Sequence, residues 1–311
     1  MKENTKINHI HSRNWVVLKV LVFIGIVLFL VWRLSSENWS TVDALHLKYP
    51  WAICLSFVLI FANQGIEWIK WKLVASKLVS DVAIIRKSFF GGIAAGFVTP
   101  NGWGNFLGRM VFFRKRDRMY IILASFLSNA SQVLPTLFFG ALACSFSGRM
   151  PIFAFWSAIS IACLLIVGFF FGERLMPKKK PRNRLMRHFQ LTQERLSALR
   201  LPLFLWSTLR YHIFSIQFAL LFVAFGYTDF WFLLVSVWLI YVLTSFVPSL
   251  WSGKIVIRET AAIFVFTGSS VAIPDVIVVS LLIWLFNIVL PAAISSFVWI
   301  PLSKAKTNVV D

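Results

Sequence analysis

Long apolar runs recur along almost the whole chain, separated by short polar or basic segments. A helix needs about 20 apolar residues to cross a hydrocarbon core about 30 Å thick, and several runs reach or approach that length. Hydrophobic residues make up 59% of the chain, and the mean hydropathy is +0.78. A water-soluble core cannot absorb so much apolar sequence. The chain is therefore predicted to be an all-α, polytopic integral membrane helical bundle.

The first apolar run, at 15–34, is predicted to be a retained transmembrane helix, because no small-x-small cleavage site follows it cleanly. The later predicted helices are 50–70, 120–143, 152–171, 203–224, 230–247 and 276–300. With the uncertain runs included, we expect about 7–8 transmembrane helices and one or two re-entrant or broken helical segments. We predict a single transmembrane domain over 1–311, with tails at 1–14 and 301–311 and a basic cytoplasmic loop at 173–200.

The stretch 87–114 is the most unusual one, because two short apolar helices are interrupted there at 99–102. Pro100 removes a backbone donor and disfavours helix at the preceding residue, and the nearby glycines permit turns. Each half is too short to cross the hydrocarbon core, and both flanks are basic. The segment is therefore predicted to enter the membrane and return to the cytoplasmic side. Broken backbone at membrane depth survives only when it is buried in protein or lines a polar cavity. This hairpin is the first candidate for a functional site.

The formal charge of +19 would suggest nucleic acid in a soluble protein. Here the basic residues cluster in loops, which indicates the cytoplasmic face of a membrane and anionic headgroups, so no nucleic-acid partner is expected. The predicted path leaves only Arg33, Lys48 and Arg149 of the 31 basic residues on the outer side. We therefore predict a multi-pass protein of the cell (inner, cytoplasmic) membrane with a cytoplasmic N-terminus.

The basic loop 173–200 is predicted to include an interfacial helix. Its charge serves either as a topology determinant or as a headgroup-binding surface, and the sequence leaves both open. The later segment 255–268 either spans the membrane or re-enters it, so the side of the C-terminus is also open.

A second break at 248–253 resembles the first. Arg109 follows Pro100 by nine residues, and Arg258 follows Pro248 by ten. Interrupted hydrophobic segments with Pro or Gly, at corresponding positions in the two halves of a chain, indicate the binding site of a transporter.

Motifs of soluble enzymes are absent from the sequence, which has no Gly-rich phosphate loop, no HExxH and no nucleophile elbow. The acidic residues near membrane depth are essentially Glu67 and Glu259, which lie too far apart in sequence for a convincing catalytic pair. The five histidines are scattered, whereas a metal site needs clustered ligands. We expect no catalytic residue, no metal and no cofactor, and we do not expect an enzyme.

Buried cations are the strongest remaining candidates. Arg210 lies about two turns inside the predicted helix 203–224, and Arg109 and Arg258 close the two broken segments. A charge at such depth usually pairs or faces a cavity, and the planar guanidinium fork suits phosphate. Structural pairing with Glu259, or capping of helix ends, is the open alternative. The predicted substrate-binding residues are Thr99, Pro100, Asn101, Gly102, Gly104, Arg109, Asn129, Gln132, Arg210, Arg258 and Glu259.

Other polar and small residues have simpler interpretations. Glu67 and Lys70 lie three apart on one helix face and are predicted to form an interfacial ion pair. Asn129 and Gln132 either line a polar path or form interhelical hydrogen bonds. Two small-xxx-small pairs predict close helix packing, namely Gly92/Gly96 and Gly104/Gly108.

The stretch 92–109, GIAAGFVTPNGWGNFLGR, is followed by a basic turn containing Asp117-Arg118. It resembles the lysylphosphatidylglycerol synthase transmembrane-region family, also called flippase-like domain proteins. The segment from Pro248 to Glu259 falls where that family has a later proline-glycine segment ending in an Arg-Glu pair. The resemblance extends over roughly 10–300. The chain departs from it at Trp103 and Asn105, where the family pattern implies a less bulky residue and an acidic one.

This resemblance implies a flippase-like membrane protein that translocates or binds an anionic phospholipid or a lipid-linked headgroup between leaflets. The best understood members carry a soluble aminoacyltransferase domain after this one, and our chain is expected to be a stand-alone member without it. The alternative is a non-transporting accessory or scaffold protein of an envelope lipid or glycan biosynthesis pathway, with an envelope-biosynthesis enzyme as partner. An integral membrane enzyme acting on a lipid phosphate is a third and weaker candidate. The sequence leaves the lipid, the energy source and the oligomeric state open.

Overall fold

A computed structural model of the chain describes residues 47–99, 103–146, 152–171, 184–246 and 253–304. Within these residues the regular secondary structure is helical, and no strand occurs. The helices are α1 (Pro50–Ala75), α2 (Val82–Val98), α3 (Trp103–Met110), α4 (Arg118–Phe146), α5 (Ile152–Phe171), α6 (Arg184–Leu196), α7 (Arg200–Ala224), α8 (Phe230–Phe246), α9 (Gly253–Phe266), α10 (Ile273–Trp284) and α11 (Leu290–Lys304). A short 3₁₀ turn joins α6 to α7, and a π-helical segment, Leu285–Val289, joins α10 to α11.

Four helical stretches are long and apolar enough to cross a membrane: Pro50–Ala75, Arg118–Phe146, Gln190–Ala224 and Ile273–Val298. Two shorter apolar helices are Trp156–Phe171 and Phe230–Ser245. Large apolar side chains are strongly exposed, as at Phe297 (76%) and Phe153 (73%), which suits a lipid-facing surface. These features support the predicted helical membrane protein. The count of seven to eight spans stays a prediction, and the run at 15–34 lies outside the described residues.

Local sequence explains several helix ends. Pro50 occupies the first turn of α1, where its missing N–H costs nothing. Asp81 caps α2 through its Oδ1, which accepts a hydrogen bond from the Ala83 N–H at 2.8 Å. Gly226 ends the turn after α7 with a φ of 101°, a conformation that glycine adopts without strain.

The two short helices predicted on either side of the first break differ in length. Because the Asp81 cap starts α2 early, that helix has 17 residues, whereas α3 has eight. The predicted helix 276–300 is divided by the π segment into α10 and α11. The predicted breaks at 99–102 and 248–253 lie outside the described residues except at Thr99, which follows the last residue of α2, and Gly253, which begins α9.

Helices α2 and α3 pack with almost no side chain between them. A Cβ added at Gly108 would overlap the carbonyl oxygen of Gly91, and one added at Gly104 would overlap the carbonyl of Ala95. A Cβ at Gly96 would lie only 3.2 Å from the Cβ of Asn105. The prediction that these small residues allow close helix packing is confirmed.

Two apolar clusters occupy the interior. One includes Ile60, Tyr211 and Phe218, and the other includes Trp71 and Leu203. Helices α1 and α7 contribute to both clusters. The segments of α1 and α7 between those contributions carry polar side chains, so the two apolar clusters bracket a polar layer.

Candidate functional site

Glu67 lies at the centre of a buried ionic cluster on α1. Its Oε1 is 3.0 Å from Arg109 Nη2, and its Oε2 is 3.0 Å from Arg210 Nη1. Lys70 Nζ lies 3.8 Å from Oε2. The cluster therefore joins α1 to α3 and to α7 through one carboxylate. We call Glu67, Lys70, Arg109 and Arg210 the Glu67 cluster.

Arg109 is completely buried, with an exposed fraction of 0%. Its guanidinium carbon lies 4.3 Å from the ring centroid of Trp71, whose indole N–H donates to Ser88 Oγ at 2.9 Å. Gly92 makes room for the side chain, because a Cβ there would come within 2.6 Å of Arg109 Cγ. The Nε and Nη1 of Arg109 have no hydrogen-bond partner among the described residues.

Arg210 lies about three turns inside α7, because that helix begins at Arg200 rather than at the predicted 203. Its Nε donates to Asn63 Oδ1 at 2.7 Å, beside the bond from Nη1 to Glu67. The side chain keeps 22% of its surface exposed, so one edge of the cluster is open.

Lys70 connects the cluster to α4. Its Nζ donates to Gln132 Oε1 at 3.3 Å, and Gln132 Nε2 donates to the Ser207 carbonyl at 3.2 Å. The hydroxyls of Ser131 and Ser207 are 2.8 Å apart. Lys70 is only 1% exposed, so this ammonium lies deep in the helix bundle.

A chain of amides continues from the cluster. Asn63 Nδ2 donates to Asn287 Oδ1 at 2.6 Å, and Asn287 Nδ2 donates to Gln217 Oε1 at 2.8 Å. Gln217 Nε2 in turn donates to the Ser56 carbonyl at 2.9 Å. Asn287 lies in the π-helical segment, a distortion that occurs often at functional sites.

One face of α1 contributes four residues to these polar networks. Ser56, Asn63, Glu67 and Lys70 are seven, four and three residues apart, a spacing that puts them on the same side of a helix. Fourteen residues of helix extend about 21 Å at 1.5 Å per residue. We call this face the α1 polar ladder. It extends over about two-thirds of a hydrocarbon core about 30 Å thick.

The structure brings together some of the predicted site residues and separates others. Arg109, Arg210 and Gln132 meet around Glu67 and Lys70. Arg258 does not join them in the described residues: it lies on α9, 6.0 Å from the ring of Tyr241. Contrary to the alternative considered above, it is Glu67 rather than Glu259 that pairs with Arg109 and Arg210.

Thr99 and Gly104 have a packing role on the broken hairpin. Thr99 Oγ1 donates to the Ala95 carbonyl at 3.0 Å and accepts from the Gly104 N–H at 2.6 Å. Asn129 is half-buried on α4 and has no described hydrogen bond to the cluster. Pro100, Asn101 and Gly102 lie outside the described residues, and Glu259 is buried on α9.

The predicted ion pair between Glu67 and Lys70 is observed at 3.8 Å, but it lies inside the helix bundle and not on an exposed interfacial surface. Both are buried, and the carboxylate makes its shorter contacts with two arginines from other helices. Lys70 and Arg109 belong to the basic flanks from which a cytoplasmic position of both hairpin ends was predicted, yet both side chains lie inside the bundle. Asn63, Gln217 and Asn287 were missed as site residues. The spacing of polar residues on α1 is the signal that could have revealed the first of them.

Comparison of the chain with family models, with curated proteins and with solved structures finds no match.

Proposed function

We propose that the protein is a flippase-like membrane protein that binds the phosphate of an anionic lipid at the Glu67 cluster and moves it between leaflets. The observation that carries the proposal is an excess of buried positive charge. Three cations surround a single carboxylate, which leaves two positive charges without a counter-ion in the cluster. An anionic headgroup supplies the missing charge.

Uncompensated charge inside a protein is costly, and intramembrane ionisable residues mark ligand pathways or relays. Arg109 illustrates the cost, since its Nε and Nη1 are buried without a hydrogen-bond partner in the described part of the chain. Guanidinium groups bind phosphate through paired, charge-assisted hydrogen bonds. The 22% exposure of the Arg210 side chain offers an approach to the site.

The α1 polar ladder supports passage of a headgroup rather than binding alone. Its hydrogen-bonding groups, which pair with other helices in this structure, extend over about 21 Å of helix, a large share of the membrane thickness. A headgroup that moves along α1 would exchange these partners one after another. The acyl chains would remain in lipid beside the exposed apolar side chains. The resemblance to the lysylphosphatidylglycerol synthase transmembrane-region family favours the same function. A location in the inner membrane, a cytoplasmic N-terminus, seven to eight spans and an envelope-biosynthesis enzyme as partner belong to this proposal.

The test is transport of a fluorescent anionic phospholipid in vesicles that contain the purified protein. Arg210→Gln removes charge and fork together and should reduce transport severely, whereas Arg210→Lys keeps the charge and should reduce it partially. Arg116→Gln is the matched control, because that arginine is 75% exposed and outside the cluster.

Equal transport by Arg210→Gln and the parent would show that the arginine is structural. Binding of anionic lipid without transport in the parent would favour the accessory role over the flippase. Absence of both binding and transport would remove the proposal altogether.

A further inference from the structure

We infer that the Glu67 cluster selects a phosphate monoester over a phosphate diester. This inference rests on the proposed function and names the class of headgroup that the site takes. A monoester near neutral pH carries close to two negative charges and presents three terminal oxygens as acceptors. A diester carries a single charge and has two terminal oxygens.

The charge of the cluster matches the monoester. Lys70, Arg109 and Arg210 contribute three positive charges and Glu67 one negative charge, so two positive charges are left over. The other buried acidic side chain of the described residues, Glu259, lies on α9. That helix packs mainly against α8 and α10 and carries no member of the cluster. Two further negative charges would therefore bring the site to neutrality.

The donors of the cluster match the three terminal oxygens as well. Arg109 has Nε and Nη1 without a partner. Arg210 uses Nε and Nη1 for Asn63 and Glu67, and its Nη2 has no described hydrogen bond. Lys70 bonds Gln132 at 3.3 Å and has further N–H groups, since an ammonium carries three. Each of the three cations thus has at least one N–H group that no described residue uses, which equals the number of terminal oxygens on a monoester.

A diester would satisfy this arrangement incompletely. With a single charge it would leave one buried cation uncompensated and one donor without an acceptor. Both conditions disfavour binding in a site with little access to water. The preference for a monoester depends on having three cations in the cluster. Removing the charge of Lys70 tests this, because both guanidinium groups stay in place.

The experiment measures binding to the purified full-length protein in detergent. The probes are phosphatidic acid and phosphatidylglycerol with the same acyl chains, together with glycerol 3-phosphate as a soluble monoester. Phosphatidic acid should bind roughly tenfold or more tightly than phosphatidylglycerol, as expected for one additional charge-assisted contact. Lys70→Gln should abolish this preference. Lys72→Gln, two residues along the same helix and exposed, should retain it.

If glycerol 3-phosphate competes for the site as strongly as phosphatidic acid does, the result supports monoester recognition and assigns it to a soluble ligand. Competition by phosphatidic acid alone would support it and assign it to a lipid. Equal affinity of the parent for the two lipids overturns the inference but leaves the proposed function standing. Binding of neither lipid overturns the proposed function itself. Even if Lys70→Gln does not fold, the ratio of the parent's affinities for the two lipids decides whether the inference holds.

Discussion

Arg210 Nη1 lies 3.0 Å from Glu67 Oε2, although 143 positions of sequence separate the two residues. The contact joins α1 to α7, and Arg109 adds α3 through the other oxygen of the same carboxylate. A single acidic side chain therefore links three helices. Its removal should affect both the stability of the bundle and the binding of anions.

Glu67→Gln should destabilise the protein by about 3–5 kcal/mol, because it leaves buried cations without their carboxylate. Thermal unfolding in detergent, followed by circular dichroism, measures the change. Glu194→Gln is the control, since Glu194 is exposed on α6 and its loss should change stability by no more than about 0.5 kcal/mol. Equal stability of the two variants would contradict the importance of the cluster.

Gly108→Ala should destabilise the α2–α3 hairpin by about 1–3 kcal/mol, because the new methyl group overlaps the Gly91 carbonyl oxygen. Gly65→Ala, inside α1 with nothing within 4 Å of its added Cβ, should instead be neutral or stabilising. The thermal midpoints of the two variants, compared with the parent, test the prediction. A neutral Gly108→Ala would show that the helices can separate without cost.

The amide chain should show energetic coupling between Asn63 and Asn287, whose side chains are 2.6 Å apart at the bonded atoms. A double-mutant cycle of Asn63→Ala and Asn287→Ala should give a coupling of about 0.6–1.7 kcal/mol, between the average and the maximum found for interhelical hydrogen bonds in membranes. The cycle corrects for the separate loss of the Arg210 contact to Asn63. Strictly additive effects would show that the bond contributes nothing.

The predicted topology can be tested with single cysteines in a background that lacks Cys54, Cys144 and Cys163. A membrane-impermeant thiol reagent applied from outside should label Gly148→Cys and miss Lys180→Cys. External labelling at position 180 would reverse the orientation assigned to the basic loop.

Ionisation of Tyr227 should lower the stability of the protein at alkaline pH. Its hydroxyl donates to Asp275 Oδ2 at 2.6 Å, and burial together with this bond raises the pKa of the phenol above its ordinary value of 10.0. A raised pKa in the folded state means that the stabilisation is complete below the unfolded value and is lost as pH rises through the folded one. Tyr227→Phe should therefore lose less stability than the parent between pH 9 and the alkaline limit of the assay. Parallel pH profiles would contradict this.

The sequence predicts the helices better than the site. The run 152–171 is observed as Ile152–Phe171, because a continuous apolar segment leaves few alternatives. Arg210 was identifiable as a buried cation because apolar residues surround it in sequence. The pairing of Arg210 with Glu67 was not identifiable. Lys70 is the cation near Glu67 in sequence, whereas Arg109 and Arg210 reach it only through tertiary packing.

Arg258 was predicted to share a site with Arg109, and the described residues do not bring the two together. Its spacing from a proline matches that of Arg109, and this similarity suggested a shared site. Helices α3 and α9 instead direct the two arginines to different aromatic partners, Trp71 and Tyr241. Similar spacing in sequence does not determine which helices pack together.

The close approach of α2 and α3 limits how the hairpin can move. Backbone from each helix fills the space that a Cβ on the other would need, so the two cannot slide past one another. Any movement of the hairpin would therefore carry α2, α3 and Arg109 together. The non-helical segments 76–81 and 111–117 flank the hairpin, and such element-terminal residues are where a change in backbone angles would be absorbed. Displacement of the hairpin would break the contact between Arg109 and Glu67 while leaving the helix pair intact.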